Sequence, residues 1–164
     1  MRAAEEYRAE LAAAHDLGEV TRLARKAARE VTGAQGATFV LREEDSCFYA
    51  DEDAIAPLWK GQRFPITSCI SGWAMLNHQT AVIPDIEQDD RIPLQAYRTT
   101  FVRSLAMVPV GEPVSVAAVG AYWSVSRRPL KARVAELERL AALIAEAVDR
   151  VGLENAPWAP TFRR

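Results

Sequence analysis

The chain of 164 residues is 49% hydrophobic and 26% charged, the balance of one folded domain that can bury its own core. Twenty basic against twenty-two acidic residues leave a formal charge of −2, without the basic footprint that a nucleic-acid backbone requires. Two cysteines (Cys47, Cys69) and two histidines (His15, His78), with no CxxC or HxxxH spacing, furnish neither a disulfide framework nor a structural metal site.

Acidic residues near Met1 argue against a secretory signal, and no apolar run reaches the ~18 residues of a membrane span, so a cytoplasmic protein without membrane contacts is expected. Residues 1–15 read as an alanine-rich helical extension with a thin stripe of Tyr7, Leu11 and Ala14. Asp16 then caps a second helix, with Glu19 at capping-box spacing and Gly33 as its stop. Val20, Leu23, Ala24, Ala27 and Val31 form its apolar face, while Arg22, Arg25, Lys26 and Arg29 are expected to point into solvent.

From Ala37 the period shifts towards two. Residues 37–42 and 46–50 read as strands joined by a polar turn, and 62–66 as a short extended piece. A short helix follows over 69–78, then a small strand over 80–83 stopped by Pro84, and a loose helical turn within 94–102. Residues 104–110 and 116–125 form a hairpin across Gly111, Glu112 and Pro113. The second of these strands is apolar at both parities, so both of its faces must be covered. A long helix over 129–153 closes the domain, with Leu130, Val134, Leu137, Ala141, Ile144, Val148 and Val151 as its seam. Leu140, Leu143 and Ala147 widen that seam, which points to homodimerisation through the terminal helices. The expected division is an extension over 1–15, a domain over 16–153 and a tail over 154–164. The prolines of that tail cannot continue the helix, so any signal is expected to pass to another polypeptide.

The run from Arg63 through Gly72 to Ala74 resembles a GAF domain, the regulatory module of phytochromes, cyclic-nucleotide phosphodiesterases and bacterial sensor kinases. The likeness continues through Ala81, Val82, Ile83, Pro84 and Asp85, then Asp89, Asp90, Arg91, Ile92 and Pro93. It closes on 102–110 and on Val119 to Trp123. In wording it is most similar to GAF modules found beside bacterial histidine kinases. The resemblance implies an α+β fold: an antiparallel sheet of five to six strands between long terminal helices and a layer of short helices and loops. Its implied role is a non-catalytic sensory or regulatory module of bacterial two-component signalling. Such a module binds a small molecule, or signals through helix-mediated dimerisation to a histidine kinase or other output protein. The alternative is a ligand-free dimerising scaffold; a free methionine-R-sulfoxide reductase is the weaker one.

The residues weigh against several members of the family. Bilin attachment needs a cysteine within about 92–95, where none stands. The reductase needs thiols beside the glycine of the short helix and in the loop before the penultimate strand. Here Ser71 precedes Gly72, Cys69 lies two places early, and 89–102 holds no cysteine. The asparagine-lysine of nucleotide-binding members is replaced by Asn77 and His78. Asp85, Glu87, Asp89 and Asp90 lack the glycine and glutamate of a calcium loop, and Arg91 and Arg103 are expected to clasp them instead. No metal and no cofactor is expected.

The resemblance places a ligand between the sheet and the segment joining the middle strands. Its candidate walls are Phe64, Ile70, Trp73, Tyr97, Phe101 and Tyr122, with Ser68, Arg98 and Ser104 as polar anchors. Ala118 and Gly120 share the parity of Tyr122 and are expected to leave room beside its ring. Gly72 is expected to let the short helix approach a strand closely.

Overall fold

The structure, a computed structural model, describes residues 2–153. The tail predicted over 154–164 lies outside the described residues. A 3-10 turn (Ala4–Tyr7) leads into α1 (Arg8–Ala13) and α2 (Leu17–Thr32). Then come β1 (Gly36–Glu43), β2 (Ser46–Ala54), β3 (Arg63–Pro65), α3 (Ile70–Asn77), β4 (Ala81–Ile83) and α4 (Leu94–Tyr97). The hairpin of β5 (Ser104–Val110) and β6 (Ala117–Trp123) is followed by α5 (Lys131–Val151). The strands form one antiparallel sheet in the order β3-β2-β1-β6-β5-β4. Among the described residues no helix is long and apolar enough to cross a membrane.

The Asp16 carboxylate accepts the Glu19 amide at 2.9 Å, as predicted, while the Glu19 carboxylate accepts from the His15 amide, one residue before the N-cap, in place of the Asp16 amide of a full capping box. Residues Ala117 to Tyr122 of β6 are all buried, which bears out a strand covered on both sides. One face carries Phe39, Leu41, Ala106, Val108, Val119 and Ala121 against α2 and α5. The other carries Val40, Cys47, Tyr49, Leu105, Met107 and Tyr122 against α3, α4 and the loops. A bulge between Phe39 and Val40 shifts the pairing, so that Ala50 and Asp51 both lie towards α2.

Three expectations need correction here. The basic residues of α2 are not all solvated: Arg25 binds Asp51 at 2.7 Å and Arg29 binds Asp53 at 2.8 Å. These pairs let β2 run on through acidic residues to Ala54, four places beyond its predicted end. Leu130 is no part of the α5 seam, because it precedes the helix as its N-cap and stands 67% exposed. The widened face of α5 is covered within the chain. Tyr7 and Leu11 are buried with Leu140, Leu143 and Ala147 in one core, and Arg150 holds the carbonyls of Leu11 and Ala14 at 2.9 Å.

Candidate functional site

The layer between the sheet and α3/α4 is built around Trp59. Its backbone is fixed by Glu52, whose carboxylate accepts the amides of Leu58, Trp59 and Lys60, each at 2.9 Å. Three charge-assisted bonds to one side chain turn the loop after β2 back over the sheet. The indole ring then lies 4.6 Å from Tyr97, 5.4 Å from Tyr122 and 5.7 Å from Tyr49, centroid to centroid. Its Nε1 donates to the Ala96 carbonyl at 3.1 Å, tying the loop to α4. Phe64 closes the group edge-on to Tyr49 at 5.4 Å.

The three phenols of this layer differ in their partners. Tyr122 Oη bonds Thr38 Oγ1 at 2.8 Å, and Tyr49 Oη bonds Ser71 Oγ at 3.0 Å. Tyr97 Oη is buried with no partner among the described residues; of the other buried side-chain oxygens only Thr21 Oγ1, on α2, shares that condition. Burial pushes all three phenol pKa values up, so they remain neutral donors at physiological pH. Beside them Cys47, from β2, and Cys69, the N-cap of α3, are both buried in this layer, and the Cys69 thiol donates to the Pro65 carbonyl at 3.5 Å. Ser71 Oγ donates to Cys69 Sγ at 3.4 Å.

A sheet flanked by terminal helices on one face and by short helices and loops on the other recurs in known proteins. A family model for the GAF domain matches residues 14–149. The chain belongs to the GAF domain family. No curated protein matches it. Among solved structures it is similar to the GAF domain of an Acinetobacter phosphoenolpyruvate-protein phosphotransferase, with a TM-score of 0.77, 10% identity, and 90% of each chain covered. It is also similar to a free methionine-R-sulfoxide reductase from Neisseria meningitidis, solved with its substrate. That match has a TM-score of 0.76 and 17% identity, over 90% of this chain and 86% of that one. A third likeness is to a proposed GAF sensor protein from Burkholderia vietnamiensis, with a TM-score of 0.74 and 16% identity over 88% and 89% of the two chains. Identities this low speak for the fold alone.

The GAF domain brings most of the predicted walls together. Ile70, Tyr97 and Tyr122 are buried in this layer, and Phe64, Trp73 and Phe101 pack against its edge. The three polar anchors lie elsewhere. Ser68 is exposed in the turn before α3. Arg98 is exposed beyond α4, 3.8 Å from Glu87. Ser104 alternates with Leu105 and therefore points to the other face, where its hydroxyl donates to the Val125 carbonyl at 2.8 Å. It lines a groove of about 150 Å³ there with Trp123 and Arg133. Nor does Gly120 leave room. A Cβ at that position would lie 2.7 Å from Met107 Cε and 2.8 Å from Tyr122 Oη, so the glycine accommodates those side chains themselves. Tyr49, Trp59, Glu52, Ser71 and the two cysteines were absent from the predicted site. Tyr49 and Cys47 share one face of β2 by simple alternation, the one signal that would have joined them to it.

The expected clasp of the acidic loop forms through one arginine. Arg91 grips Asp89 with its amide at 2.9 Å, Nε at 2.9 Å and Nη2 at 2.7 Å, while its guanidinium lies 4.3 Å from the Trp73 ring centre. Arg103 instead donates to the carbonyls of Thr100 and Val102. The Arg91 hydrogen bond holds the Asp89 pKa below its ordinary value. A depressed carboxylate stabilises the fold above its unfolded pKa, and the contribution is lost as pH falls through the folded value. Asp89→Asn is expected to cost about 1 kcal/mol at neutral pH, discounted for partial exposure. In denaturant titrations that cost should shrink as the pH is lowered below about 4.

Proposed function

We propose that this protein is a non-catalytic sensory GAF domain that binds a small molecule carrying a hydrogen-bond acceptor beneath α4. The observation that carries this reading is the Tyr97 hydroxyl, buried in an aromatic layer without a partner among the described residues. Leaving such a donor unsatisfied costs about 1–3 kcal/mol, a penalty that a ligand acceptor would remove. Loops bearing few polar anchors around aromatic walls are a common setting for small ligands.

A thermal-shift screen of soluble metabolites on the wild type and Tyr97→Phe tests it. Without ligand, the Tyr97→Phe protein should be as stable as the wild type or more stable by up to ~1 kcal/mol, because the orphan donor is gone. A compound that stabilises the wild type should bind the variant roughly tenfold more weakly. Marked destabilisation by Tyr97→Phe would show that the hydroxyl already has a partner, and would remove the basis of this reading.

The alternative, a ligand-free interaction scaffold, is favoured by the tight contacts around Gly120. It gains if no compound stabilises either protein. Structural neighbours named as free methionine-R-sulfoxide reductases make a turnover assay with that sulfoxide and a thiol reductant the third arm. Ser71 stands where that enzyme family carries a thiol, so no turnover is expected; turnover would overturn the non-catalytic reading.

A further inference from the structure

A groove on the opposite face of the sheet goes beyond the layer beneath α4 and does not depend on it. It lies between α2 and β2 and holds about 600 Å³. Alternation along β2 puts Phe48 and Ala50 on its floor, facing α2, and the bulge in the β1–β2 pairing adds Asp51 to the same side. Gly61, on the loop after β2, lines it without a side chain, and a Cβ there would meet nothing within 4 Å.

Two polar side chains of this groove have no partner among the described residues. Thr21 is 2% exposed, yet its Oγ1 makes no hydrogen bond. A helical threonine can bond the carbonyl one turn back, as Thr32 of the same helix does with Ala28 at 2.6 Å; Thr21 does not. The other is Arg22, which is exposed. The remaining charges are engaged. Asp51 binds Arg25 at 2.7 Å and Lys60 at 3.0 Å, while Asp16 and Glu19 accept backbone amides at the start of α2. A buried hydroxyl, an apolar floor and an uncommitted cation suit a small molecule with an apolar body and an anionic group.

The geometry points to a second ligand site in this groove, for a small aromatic carboxylate. The ring of the ligand lies over Phe48 and Ala50, where an aromatic face finds an aromatic partner. One carboxylate oxygen accepts the Thr21 hydroxyl, which satisfies the orphan donor. Arg22 supplies the charge-assisted contact to the other oxygen. The site is separate from the layer beneath α4, because the sheet stands between them.

The experiment titrates the full-length protein with hydrocinnamate, a phenyl ring on a short carboxylate tail, and with its neutral primary amide, and follows backbone amide shifts by NMR. Hydrocinnamate should move the amides of Thr21, Arg22, Phe48 and Gly61 saturably, and the neutral compound should bind at least ~3-fold more weakly. That preference should shrink in high salt, because Arg22 is exposed. Thr21→Val keeps the shape and removes the hydroxyl, so it should fold as stably as the wild type and bind hydrocinnamate roughly tenfold more weakly. Arg22→Gln should lose most of the preference for the anion, whereas Tyr97→Phe, across the sheet, should bind as the wild type does. The absence of saturable shifts at the groove would overturn the proposal, as would shifts confined to the layer beneath α4 or an unchanged affinity in Thr21→Val. Should Thr21→Val not fold, Arg22→Gln decides the matter: a preference for the anion that survives this change removes the proposed site.

Discussion

Gly72→Ala is expected to destabilise the protein by about 3 kcal/mol or more, at the upper end of overpacking changes, and to lower Tm by on the order of 10 °C. The added Cβ would lie 1.7 Å from the carbonyl oxygen of Ile66 and 2.6 Å from its carbon. Both atoms are backbone, in the 3-10 turn Ile66–Ser68 immediately before α3, so no rotamer change relieves the clash. Alanine would otherwise favour the helix by ~1 kcal/mol, and that gain cannot offset an overlap of this depth. The glycine thus serves a close approach between α3 and the turn that precedes it, where the sequence suggests an approach to a strand. Because Ser71 lies in the short segment that this contact closes, next to Gly72, forcing it apart should also loosen the Tyr49–Ser71 bond. Calorimetry of the variant is the check. A Tm within a degree or two of the wild type would mean that the turn and helix are not held together in this way.

Much of the fold was legible because it depends on local periodicity. The capping residues of α2, the two-sided burial of β6 and the hairpin all follow from residues close together in the chain. Interactions across the fold were less visible. The charges of Asp51, Glu52 and Asp53 read as the end of a strand, yet each is satisfied from elsewhere: by Arg25 and Lys60, by loop amides, and by Arg29. Likewise the leucines of α5 read as a surface for a second helix, whereas Tyr7 and Leu11 of the N-terminal segment pack against them. In the candidate site, aromatic character singled out the right layer but could not say which polar groups face it. Ser104 was lost to strand parity. Cys47 lay outside the predicted site because the layer it enters forms only when β3 folds back along β2, with Cys47 opposite Phe64.

Trp59→Ala should carry the other large effect, a loss of about 3–5 kcal/mol, the range for removing a buried aromatic ring. The ring is 4% exposed and touches three tyrosines, and its Nε1 bond to Ala96 would also be lost. Collapse into the void is opposed on two sides. Glu52 fixes the backbone of residues 58–60 from one side, while the sheet holds Tyr49 and Tyr122 from the other. The site should therefore remain open and accept a ring of the same shape. Indole added to Trp59→Ala is expected to raise its Tm in proportion to the logarithm of concentration above Kd, and to leave the wild type unchanged. A cost below ~1 kcal/mol would instead show that Trp59 packs loosely, as the wall of a site that is already open. Between those outcomes lies the distinction that matters for function. A large cost with indole rescue means that this GAF domain keeps its ligand layer filled by its own tryptophan, so any natural ligand must first displace the loop that Glu52 holds in place.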